Sequence, residues 1–123
     1  MVAIRQAVGD RALLCGFTHP SGGWRLVAVT AAVEPHAPSI LMTKQHGQKP
    51  LVTIYYSTES CDRAFLRYTD GCASDGYQLM GQVEVRLPDL LFDPMDHDSV
   101  DVMERWANQF LRSASFELER QAG

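Results

Sequence analysis

The residues of this 123-residue chain whose types could do chemistry begin with an acidic run, Asp89, Asp93, Asp96, Asp98 and Asp101, with His97 inside it. Carboxylates are ligands for hard cations, and a histidine between two aspartates suits a transition metal. The spacing is not that of a calcium loop, which alternates acids around a central glycine. A local cause competes. Asp96, Asp98 and Asp101 precede or open a helix, where unpaired N–H groups and the helix dipole favour negative charge and Asp98 can cap. Capping is the expectation; no metal and no other cofactor is expected.

Cys15, Cys61 and Cys72 are an odd number, spaced neither as a disulfide framework nor as a paired zinc site, so reduced thiols are expected. A cysteine nucleophile needs a base in contact. On a strand, Cys15 and His19 lie about 13 Å apart, which is too far. A pair such as Cys61 with His97 depends wholly on the fold, and cysteines on apolar faces are ordinarily buried and inert. Ser21-Gly22-Gly23 lacks the lysine and the following helix of a phosphate loop and reads as a turn. His36, Lys44 and His46 fall in loop segments, either converging on an anion or simply solvated; solvation is the expectation. No catalytic residue is assigned.

The aromatic residues make a further group: Trp24, Tyr55, Tyr77 and Trp106, with Tyr56 and Phe65. Between a curved sheet and a C-terminal helix such residues either line a pocket for an apolar ligand or fill a core. Trp24, Tyr55, Tyr77 and Trp106 are the candidate ligand-binding residues.

These residues must be positioned by short elements. Residues 2–8 fit either a helix or an edge strand. Residues 11–18 and 24–33 are strand-like, and the two glycines between them mark a hairpin turn. A short strand over 39–43 and a clear one over 51–57, rich in β-branched and aromatic residues, follow. Residues 60–68 carry helical spacing, with Gly71 as the stop. Residues 77–87 alternate Tyr77, Leu79, Gly81, Val83, Val85 and Leu87 against polar neighbours and Met80, the pattern of a half-buried strand. The stripe Val100, Met103, Ala107, Phe110, Leu111 and Ala114 predicts a helix over 99–116.

The fold class expected is α+β: one domain over 1–123, a mostly antiparallel sheet of about five strands, one face packed by two helices, the C-terminal helix longest. Val102 and Trp106, with Phe110 shared, widen the apolar arc of that helix and are the candidate dimer interface.

Composition narrows the function. The chain is 46% hydrophobic and 21% charged, as in a globular protein, and has no apolar run of bilayer-spanning length. Met1 to Gly9 lack the apolar core of a signal peptide, so a cytoplasmic location is expected. Arginine outnumbers lysine nine to two, as in GC-rich bacterial genomes. Residues 1–50 carry a net +3 and residues 51–123 a net −7, a split that favours complementary self-association. With a pI near 5.4 and no basic cluster, nucleic acid is not an expected partner, nor is a membrane. The leading expectation is a non-enzymatic binding protein acting as a homodimer, with a protein partner or a small ligand. A second is a carrier of a hydrophobic small molecule. A third is a small enzyme or metal site using His97 with Asp96 and Asp98, or a cysteine–histidine pair.

Overall fold

The computed structural model describes residues 2–3, 11–30, 39–86, 91–92 and 99–122. In chain order the elements are β1 (Val2–Ala3), β2 (Arg11–Thr18), β3 (Trp24–Thr30), β4 (Ser39–Gln45), β5 (Leu51–Tyr55), α1 (Thr58–Ser74), β6 (Gln78–Arg86), β7 (Leu91–Phe92) and α2 (Ser99–Ala122). Five strands form an antiparallel sheet in the order β5-β4-β3-β2-β6, and β1 pairs separately with β7. This is the α+β architecture the sequence predicts, with the 24-residue α2 longer than the 17-residue α1. No helix among the described residues is long and apolar enough to cross a membrane.

The placement of the helices differs from the expectation that both pack on one face. Ala107, Phe110, Leu111, Ala114 and Leu118 of α2 cover one face of the sheet, packing with Leu14, Leu26, Ala28, Ile40 and Met42. Cys61 and Cys72 of α1 pack on the other face with Cys15, Phe17, Val27 and Leu41. Residues adjacent in sequence, such as Leu14 and Cys15 or Leu41 and Met42, therefore join opposite cores, as strand pleating requires. A strand covered on both sides needs apolar residues at consecutive positions, which is why β3 reads Leu-Val-Ala-Val and β4 reads Ile-Leu-Met.

The alternation in β6 is also broken. The β2–β6 register runs Leu14↔Val83 and Gly16↔Gly81, then shifts so that Phe17 faces Leu79 and Met80 is the extra residue. Such a bulge changes which face later side chains take. Val83 and Val85 pack toward α2 together with Met80, Tyr77 packs toward α1, and Leu79 is left 57% exposed.

Helix α1 opens on Ser57, whose hydroxyl accepts from Ser60 N–H at 3.3 Å. It runs through Gly71, the expected stop, and ends where Gly76 adopts φ +90° and the N–H groups of Gly76 and Tyr77 donate to the carbonyls of Ala73 and Cys72. Helix α2 starts at Ser99 as expected but continues six residues past Phe116, which brings Leu118 onto the sheet.

Candidate functional site

Covering a twisted sheet with one diagonal helix leaves a gap where the two surfaces diverge. Here it is a cavity of about 460 Å³ between α2 and the end of the sheet formed by the β2–β3 turn. That size lies within the range of small-molecule sites. Its apolar surface comes from Trp24 and Leu26 of β3 and Met80 of β6, with Gly16 adding bare backbone. Its polar surface comes from Lys44 of β4 and from Asn108, Arg112, Ser115 and Glu119 of α2. Those four recur at helical spacing and flank the buried stripe of Ala107, Leu111, Ala114 and Leu118 by one residue. The site is therefore a by-product of α2's amphipathicity, with the core stripe holding the helix down and its neighbours overhanging the cavity.

Three contacts fix the floor. The Trp24 indole stacks on the His46 imidazole, with ring centroids 5.4 Å apart and planes within 10°. The backbone N–H of His46 also donates to the Trp24 carbonyl at 3.1 Å. Lys44 Nζ donates to the Gln48 carbonyl at 2.7 Å, one of its three protons. The bulge matters as well, because it turns Met80 onto this face.

The other face carries a shallower cleft of about 430 Å³ between α1 and β4–β5, lined by Tyr55, Tyr68, Arg25 and Arg67. Arg25 Nη1 donates to Asp75 Oδ2 at 2.8 Å and contacts Cys72 Sγ at 3.8 Å, and the guanidinium lies 4.2 Å over the Tyr77 ring. Burial opposes the charge on Arg25, but the bonds to Asp75 and Cys72 outweigh it and hold its pKa above the usual arginine value. Burial, and then Cys72, push the Tyr68 hydroxyl above the ordinary tyrosine range. His19 meets Tyr77 edge-on at 5.0 Å, and its Nδ1 accepts from Ser21 N–H at 3.1 Å and lies 2.6 Å from Ser21 Oγ. The imidazole, packed against Gly76, thus closes the β2–β3 turn; no carboxylate among the described residues bonds its other nitrogen.

The four expected ligand-binding residues do not share one pocket. Trp24 lines the α2-side cavity, whereas Tyr55 and Tyr77 lie on the α1 face; the Trp106 side chain is outside the described residues. Of the expected interface, Phe110 is 5% exposed and belongs to the core, and the Val102 and Trp106 side chains are outside the described residues. Asp96, His97, Asp98 and His36 also lie outside them, and among the described residues no group of three His, Cys, Asp or Glu is placed to hold a metal ion. All three cysteines are buried free thiols. Cys15 contacts Gln82 at 3.9 Å and has its pKa raised by burial. Cys61 is pushed up to about 11 by burial and then by Asp62. None has a histidine partner among the described residues. Sequence reasoning missed Met80, Asn108, Arg112, Ser115 and Glu119; the period of the helix could have offered the last four, but no pattern announced the bulge.

No protein-family model, no curated protein and no solved structure matches the chain.

Proposed function

We propose that the protein binds a small, largely apolar molecule in the cavity between α2 and the sheet. The observation that carries this reading is the combination of volume and lining: about 460 Å³ with Trp24, Leu26 and Met80 as the apolar wall and a polar rim supplied by one helix. Apolar pockets with a few placed polar groups are the usual form of small-molecule sites. Trp24 is the reporter. In a Trp106→Phe variant, titration with an apolar ligand panel should change Trp24 emission saturably, and Trp24→Phe should abolish the signal. Flat titrations across the panel would remove the proposal.

A second reading, self-association as a homodimer, is favoured by one observation. β5 is an edge strand, and Leu51 at its start and Tyr56, the residue just after it, are each 70% exposed. Unpaired edges with apolar side chains are templates for a second strand. A native mass of two chains that reverts to one in Leu51→Lys/Tyr56→Lys would support it, and a monomer at micromolar concentration would remove it.

A further inference from the structure

We infer that the ligand of the α2-side cavity is an anion, an apolar body carrying one carboxylate or sulfonate-type group, held by Lys44 and Arg112, which both line the cavity. The inference rests on the ligand-binding reading of this cavity and adds its charge.

The polar lining is not evenly distributed. Lys44 stands on β4, opposite Leu26 of β3 in the register. Leu118 packs on Gly16 of β2 and Gly81 of β6, so the C-terminal part of α2, with Glu119, lies over the far side of the sheet. Adjacent strands are about 4.8 Å apart, which places β4 roughly 10 Å from β2 and 14 Å from β6. Along the helix, Arg112 precedes Glu119 by seven residues, about 10 Å. Among the described lining residues the single carboxylate sits toward β2 and β6; α2 also contacts β5 at the opposite edge of the sheet, so the cation two turns earlier sits on the side of β4, where Lys44 stands. One end of the cavity is doubly cationic and the other holds Met80 and Glu119.

Among the described residues no carboxylate pairs with either cation. Lys44 commits one proton to Gln48 O and has two left. Arg112 presents a fork of five donors matched to a carboxylate or sulfonate. Asn108, one turn before Arg112, adds a neutral hydrogen-bonding group beside them. A ligand with its anionic group there would lay its body over Leu26 and Trp24 toward Met80, pairing apolar with apolar surface. A neutral or cationic ligand would leave two cations beside its apolar body, which costs affinity.

The test uses two probes with the same aromatic body, 8-anilinonaphthalene-1-sulfonate and the uncharged N-phenyl-1-naphthylamine, titrated by fluorescence into the folded protein. The sulfonate probe is expected to bind about tenfold more tightly, the size of effect of a charge-assisted hydrogen bond. Lys44→Gln/Arg112→Gln, with an unchanged melting temperature, is expected to bring the two affinities together by weakening only the sulfonate. Should the double variant not fold, each single variant is expected to narrow the ratio. Ser115→Trp, which fills the cavity from the helix side, should abolish both.

Equal affinities for the two probes in the unaltered protein would overturn the anion inference and leave the binding cavity standing. Sulfonate binding that survives Ser115→Trp, or a preference indifferent to Lys44 and Arg112, would place the charge recognition elsewhere and overturn it too. Binding of neither probe would overturn both readings.

Discussion

Gly16 of β2 and Gly81 of β6 stand opposite each other under Leu118, whose Cδ2 occupies the space where a Gly16 side chain would begin. A Cβ on Gly16 would overlap Leu118 Cδ2, whereas one on Gly81 would rest 3.5 Å from Leu118 Cδ1, an ordinary contact. The pair lets α2 approach the sheet at this point, and the depth of that approach sets the width of the neighbouring cavity. Gly16→Ala should therefore destabilise the fold by about 1–3 kcal/mol, the usual cost of overpacking. Gly81→Ala should cost less than 1 kcal/mol or gain a little from reduced chain entropy. In a Leu118→Ala background, which itself costs roughly 2–5 kcal/mol, the Gly16→Ala penalty should shrink. Urea unfolding of the four proteins measures this, and additive penalties would contradict the contact.

The same pair shows how far the sequence could be read. The strands and helices and their succession along the chain followed from turn glycines, β-branched runs and a regular helical stripe, because each is a local signal, whereas the order of the strands in the sheet depends on long-range pairing and was not legible. The distribution of α1 and α2 over opposite faces was also written locally, in the unbroken apolar runs of β3 and β4 rather than in alternation. The bulge at Met80 was not. It arises from a mismatch between two strands 60 residues apart in the chain, and it reverses the exposure of Leu79 and Met80 relative to simple alternation. Trp24, which lines the α2-side cavity, could be singled out by its type. Its separation from Tyr55 and Tyr77 could not, since that depends on which face each takes.

Arg25 joins β3 to the end of α1. Its side chain is 18% exposed while Asp75 is 57% exposed, so most of its contribution is expected from packing on Tyr77 and Cys72 rather than from the ion pair. Its Nε is buried with no hydrogen-bond partner among the described residues. Arg25→Ala should cost about 1–3 kcal/mol, and Asp75→Asn less than 1 kcal/mol. Arg25→Met, which keeps the stem and removes the unsatisfied donor, should cost less than Arg25→Ala. Thermal unfolding of the three variants checks the order, and equal losses for Arg25→Met and Arg25→Ala would show that the ion pair dominates.

Cys61 ionises near 11 in the folded chain against 9.0 for an unperturbed thiol. Folding thus favours the neutral thiol, and its contribution is complete below about pH 9. Above that the unfolded chain loses the proton first, so stability should fall as pH rises from about 9 to about 11, by roughly 2–3 kcal/mol from this group. Cys61→Ala should flatten that part of the pH profile, measured by urea unfolding at pH 7.5, 9 and 10.5. A profile unchanged by the substitution would contradict the buried-thiol assignment. The same burial predicts slow labelling of all three cysteines by a thiol reagent at pH 8 until the chain is unfolded.

The cavity at Trp24 is tested most directly by two-dimensional ¹H–¹⁵N NMR during titration with N-phenyl-1-naphthylamine. Binding there should shift the Trp24 indole N–H and the backbone signals of Gly16, Thr18, Met80, Asn108 and Ser115, saturably and together, while Arg67, Tyr68 and Gly71 on the α1 face stay in place. Spectra that remain unchanged up to the solubility limit, or shifts confined to the α1 face, would contradict a ligand site between α2 and the sheet.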